Sequence, residues 1–107
     1  MPIWRVSAVS DEPEICLQCW SVFETERKER HFVGQNMDCG TGRVSSAIQT
    51  FDAESRTGVT RSGRRYVLVG GPGHHDDATH TWAMWKMLND VRQSKDVTAE
   101  YQELLGA

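Results

Sequence analysis

Long apolar runs are absent from this chain of 107 residues, and no window approaches the ~20 consecutive apolar residues that a membrane-spanning helix requires. No helical membrane span is therefore expected. Proline is scarce, at three residues, and no low-complexity tract interrupts the chain, which excludes collagen-like and disordered classes. Cysteine is also scarce. Three thiols cannot all pair internally, and the opening MPIWRVSAVS carries one positive charge and an apolar stretch too short for a secretory signal. Reduced thiols in a cytoplasmic protein are the expectation. The net charge of −3 is too small to imply a nucleic-acid or membrane partner by itself.

Composition fits an ordinary globular domain, 38% hydrophobic and 25% charged. A domain of this size buries roughly two-thirds of the surface its unfolded chain exposes, so residues 1–107 are read as one domain that can fold alone. Charge is unevenly placed. Asp11, Glu12, Glu14, Glu24 and Glu26 occupy a segment without a base, whereas Arg43, Arg56, Arg61, Arg64 and Arg65 face only Asp52 and Glu54.

Period-2 patterning dominates the first two-thirds of the chain. Trp4, Val6 and Ala8 share one face of a first strand. In CLQCWSVFETE, alternation sets Leu17, Cys19, Ser21 and Phe23 against Cys16, Gln18, Trp20 and Val22, a second strand buried on much of both faces. HFVGQNM pairs with it as a hairpin, DCGTG reverses the chain, and RVSSAIQTFD reads as a further strand. VT, the turn RSGR and RYVLVG complete an antiparallel meander of about five strands. The period then changes. Ala78, Trp82, Trp85 and Leu88 recur at spacings of three and four, widened by Met84, Met87 and Val91, and form the apolar stripe of a helix capped by Asp76 or Asp77. Val97, Tyr101, Leu104 and Leu105 form a second, short amphipathic segment. The expected class is α+β, with the sheet covered by the C-terminal helix and Trp82 and Trp85 in the core.

GGPGHHDD, between the last strand and the helix, invites a phosphate-binding reading. It has neither the lysine and serine of a P-loop nor the G-x-G-x-x-G spacing, and two aspartates stand where a phosphate would sit. Turn chemistry with a capped helix is the better account. Cys16 and Cys19 form a C-x2-C pair that could begin a zinc site, with Cys39, His31, His74, His75 and His80 as completions. No second close pair follows, so inert buried thiols are expected and no metal or cofactor is required. Cys39 follows Asp38, whose charge opposes thiolate formation. No spacing links serine, histidine and aspartate into a catalytic set, and a non-catalytic protein is expected.

Binding residues are easier to nominate. Trp4 and Trp20, with Arg61, Arg64, Arg65 and Tyr66, have the composition of a protein-recognition surface, where tryptophan and arginine concentrate binding energy. The competing partner is nucleic acid, contacted through Arg43, Arg61, Arg64 and Arg65 with Tyr66 as a stacking ring. The plainer alternative is that arginine at hairpin turns and edges keeps strands soluble and unpaired.

RVSSAIQTFD and TRSGRRYVLVGGPG resemble short, uncharacterised bacterial proteins of phages, plasmids and integrating elements, over roughly residues 43–85. The resemblance carries no activity and no catalytic residue. It implies a bacterial accessory-genome protein that works by binding a host or competing machine, as inhibitors of defence complexes do.

Overall fold

The computed structural model describes residues 13–106, so the expected strand through Trp4, Val6 and Ala8 lies outside the described residues. Seven strands and two helices follow in the order β1 (Glu14–Thr25), β2 (Arg30–Asn36), β3 (Gly42–Val44), β4 (Ile48–Asp52), β5 (Thr57–Thr60), β6 (Arg65–Leu68), α1 (Asp76–Leu88), β7 (Ser94–Asp96) and α2 (Thr98–Leu104). The class is α+β. The sheet runs β3-β2-β1-β6-β5-β4, and β7 pairs with the far end of β1.

The expected antiparallel meander is corrected at its centre. β1 and β6 are parallel, Ile15 beside Tyr66 and Leu17 beside Leu68, so the sheet is mixed and has seven strands. Hairpins β1–β2 and β4–β5–β6 form where local turns place them. Their joining is non-local, and periodicity carries no information about it. RVSSAIQTFD is also two strands. Ser45, fully buried, lies in the break between β3 and β4: its Oγ accepts from Phe32 N at 2.9 Å and donates to Ser46 O at 2.7 Å.

A bulge corrects the facing of β1. Leu17 pairs with Asn36 and Gln18 with Gln35, but the next pair is Ser21 with Val33, so Cys19 and Trp20 together oppose Gly34. Cys19 takes φ 49° to make the extra step. Beyond it the alternation changes phase, and Leu17 shares one core with Trp20 and Val22.

Both sheet faces are covered. On one, Phe32, Tyr66 and Leu68 pack with Val97 and Tyr101 at the start of α2, flanked by Phe51. Gly58 is required there, because a β-carbon would run into the Phe32 ring. On the other, Ala78 and Trp82 of α1 pack on Val33, with Phe23 stacked on the Trp82 ring at 5.1 Å. No helix among the described residues is long and apolar enough to cross a membrane.

The glycine-rich junction continues the path of β6 along β1. Val69 N donates to Leu17 O at 2.8 Å, Trp20 Nε1 to Gly70 O at 3.1 Å, and Gly73 N to Trp20 O at 3.0 Å. His75, rather than either aspartate, caps α1: its Nδ1 accepts from Asp77 N at 3.2 Å. Asp76 and Asp77 fill the first turn, where their charge suits the helix dipole, and the Asp77 carboxylate also accepts from Gly42 N on β3.

Candidate functional site

The β1–β2–β3 strands, the β5–β6 hairpin and the end of α1 leave a cleft of about 650 Å3 between them. The β1–β2 turn contributes Arg27 and Glu29, β2 contributes His31, β3 contributes Arg43, the β5–β6 turn contributes Arg61 and Arg64, and α1 closes the wall with Trp85. Four arginines face one carboxylate. This is the opposite of the chain's overall balance, and it gives the cleft a positive potential focused between low-dielectric walls.

Each arginine is held in place. Arg61 pairs with Glu29, and Arg43 donates from Nε to Tyr66 Oη at 3.3 Å with its guanidinium over the same ring. Arg27 donates to Asn89 O at 2.7 Å and Asp90 O at 3.1 Å, so a cation meets the carbonyl end of α1. Arg64 is only 3% exposed and lies in the cleft floor.

His31 is the least conventional member. It is 3% exposed, its Nδ1 lies 2.8 Å from Ser45 O, and its ring is tilted against Trp85 with centroids 4.5 Å apart. A carbonyl oxygen only accepts, so Nδ1 carries the proton and Nε2 presents a lone pair. That Nε2 is buried and has no hydrogen-bond partner among the described residues. Burial pushes the His31 pKa down, the Ser45 hydrogen bond opposes this, and the charge of Arg27 adds to the lowering. The ring is held neutral.

Beside the cleft, the apolar stripe of α1 loses its cover. Leu88 follows Trp85 by one helical turn, yet it is 68% exposed, and Met87 is 75% exposed. Leu88, expected on the same apolar stripe as Ala78, Trp82 and Trp85, is thus left uncovered: the helix face continues past the sheet that packs against its first turns. Trp82 is buried as expected, and Trp85 is half-buried at the cleft wall.

The nominated binding residues divide. Arg43, Arg61, Arg64 and Tyr66 come together in the cleft, although Tyr66 is nearly buried and Arg64 is no surface contact. Arg65 points elsewhere on β6 and pairs with Glu14 at 3.5 Å. Trp20 is fully buried, because the bulge turns its indole into the core, and it leaves the recognition surface. Trp4 lies outside the described residues. Arg27, Trp85, Met87 and Leu88 were not nominated as binders. Their role depends on the β1–β2 turn meeting the end of α1, which no local pattern announces.

The zinc alternative finds no geometry. Among the described residues no three His, Cys, Asp or Glu side chains are grouped to hold a metal ion. Cys16 precedes the bulge and Cys19 lies in it, both half-buried rather than buried, Cys39 is exposed with its Sγ 3.0 Å from Thr41 Oγ1, and His31 lies in the cleft. Comparison with family models, with curated proteins and with solved structures matches none of them to this chain.

Proposed function

We infer that this is a non-catalytic protein-interaction module whose docking surface is the arginine-lined cleft together with the exposed Met87 and Leu88 beside it. One observation carries the reading: a concave, cationic cleft is lined by Trp85 and Asn89 at the end of α1, and Met87 and Leu88 between them in the chain are exposed. An acidic group with an apolar neighbour is complementary to that pair of features, the charge fixing register and the apolar contact supplying affinity. The partner is another protein, in the cytoplasm of a bacterial host or of a competing element, and the chain belongs to the accessory genome. Inhibition of a host or defence complex is the corresponding biological role.

Affinity capture from bacterial lysate, with and without nuclease, tests this. A stoichiometric protein partner that survives nuclease supports it, and turnover of a small molecule by the purified chain would contradict it. The second reading is nucleic acid, favoured by Arg43 and Arg61 beside the half-buried Trp85. Binding of that kind weakens steeply with salt. No binding to single- or double-stranded DNA or RNA in low-salt anisotropy titrations removes it.

A further inference from the structure

We propose that the anionic group seated in the cleft is a phosphate monoester, recognised jointly by the arginines and by the buried Nε2 of His31. The proposal rests on the reading of the cleft as the docking surface, and it specifies the chemistry of what docks there.

Arginine alone does not choose among anions. Carboxylate, sulfate, phosphodiester and phosphate monoester all accept from guanidinium groups. His31 makes the distinction. The Ser45 carbonyl fixes the proton on Nδ1, so the neutral ring offers only a lone pair at Nε2, and a lone pair needs a donor. Among the described residues none supplies one. An unsatisfied buried acceptor is costly, and a ligand that brings a proton to it recovers that cost on binding. A carboxylate, a sulfate or a phosphodiester brings none at neutral pH. A phosphate monoester can, because its second pKa is about 6: a fraction persists near neutral pH as the monoanion with a P–OH, and the site selects that form. That proton bridges phosphate oxygen and Nε2 whichever atom holds it.

The surroundings agree with this assignment. The charged groups lining the cleft around His31 are Arg27, Arg43, Arg61 and Arg64, with Glu29 tied to Arg61, so the bound monoanion meets a net positive lining without protonation of the ring. Trp85 lies against the imidazole and is half-buried, so a ligand seated beside His31 changes the surroundings of its indole. Ligand entry is therefore coupled to tryptophan fluorescence.

Inorganic phosphate and sulfate are the decisive probes: they share shape and charge, but only phosphate retains an O–H near neutral pH. Titration of the full chain, followed by calorimetry and tryptophan fluorescence, is expected to show phosphate binding about tenfold more tightly than sulfate, the worth of one recovered hydrogen bond. His31→Phe is expected to abolish that preference, and Arg61→Gln to weaken both anions. If His31→Phe fails to fold, the phosphate-to-sulfate ratio of the unaltered protein still decides. Equal affinities, or no binding of either anion, overturn the proposal. A phosphoserine peptide and a 5′-phosphorylated oligonucleotide separate the two sources of the group. Binding of the peptide supports both readings, whereas binding of the oligonucleotide alone keeps the phosphate site and overturns the protein partner.

Discussion

Gly34 lies directly across the β1–β2 ladder from Trp20, so close that a β-carbon on the glycine would stand 3.2 Å from Trp20 Cα and 3.0 Å from the Gln18 carbonyl oxygen. The bulge at Cys19 and Trp20 and the missing side chain at Gly34 are one device. Together they turn the Trp20 indole inward, where Nε1 reaches Gly70 O and ties the glycine-rich junction to the central strand.

Gly34→Ala is expected to destabilise the fold by ~1–3 kcal/mol, since the neighbours it meets are backbone and cannot rotate away. Urea denaturation would show a lower midpoint with an unchanged slope.

Trp20→Phe keeps most of the ring but removes the donor to Gly70 O. A loss of ~1–3 kcal/mol is expected, combining the hydrogen bond with the altered shape. The Gly70 carbonyl retains its bond from Arg56 Nη2, so hydrogen exchange at Gly73 should rise without global unfolding.

Acid stability has a named source. Glu24 is held below the usual carboxylate range, first by the Arg30 hydrogen bond and then by Lys95, and Arg30 is correspondingly raised by Glu24 and Tyr101. A depressed carboxylate contributes stability that is present above its unfolded value, about 4.3, and lost as pH falls through the folded one. Glu24→Gln should therefore lower stability at neutral pH and flatten the acid limb of a stability-versus-pH curve, the variant and the unaltered chain converging below the folded value.

His31 acts in a higher window. Its folded pKa is lowered, so the unfolded chain binds the proton more readily, and stability falls as pH drops from the ordinary histidine value of about 6.5 towards the folded one. His31→Phe is expected to remove that slope between the two values, as measured by thermal denaturation across the range.

Much of this was legible in the residues, where the signal was local. The β1–β2 hairpin, the turns at DCGTG and RSGR, the α1 stripe through Ala78 and Trp82, and the short second helix with Val97 and Tyr101 all follow from period and turn chemistry. The parallel pairing of β1 with β6 was not legible, because it joins segments some 50 positions apart with no periodic consequence in either. The bulge was hidden for a related reason. A single left-handed residue at Cys19 inverts every later side chain of the strand, and cysteine does not advertise that conformation as glycine would. For the cleft, the arginines of the central segment pointed to Arg43, Arg61 and Arg64, but Arg64 and Tyr66 turned out to be floor, and His31 attracted notice only as a metal ligand.

The most direct test of the cleft as a docking surface compares two exposed leucines at opposite helices, Leu88 at 68% and Leu104 at 60% exposure. Each is changed to Asp, and each variant is used to capture protein from nuclease-treated bacterial lysate beside the unaltered chain. Both substitutions are expected to leave folding stability within about 0.5 kcal/mol, as surface changes do. Capture of the stoichiometric partner should be lost with Leu88→Asp and with Arg43→Glu, and retained with Leu104→Asp. Equal capture by all of them, or loss with Leu104→Asp alone, would contradict the cleft as the docking surface.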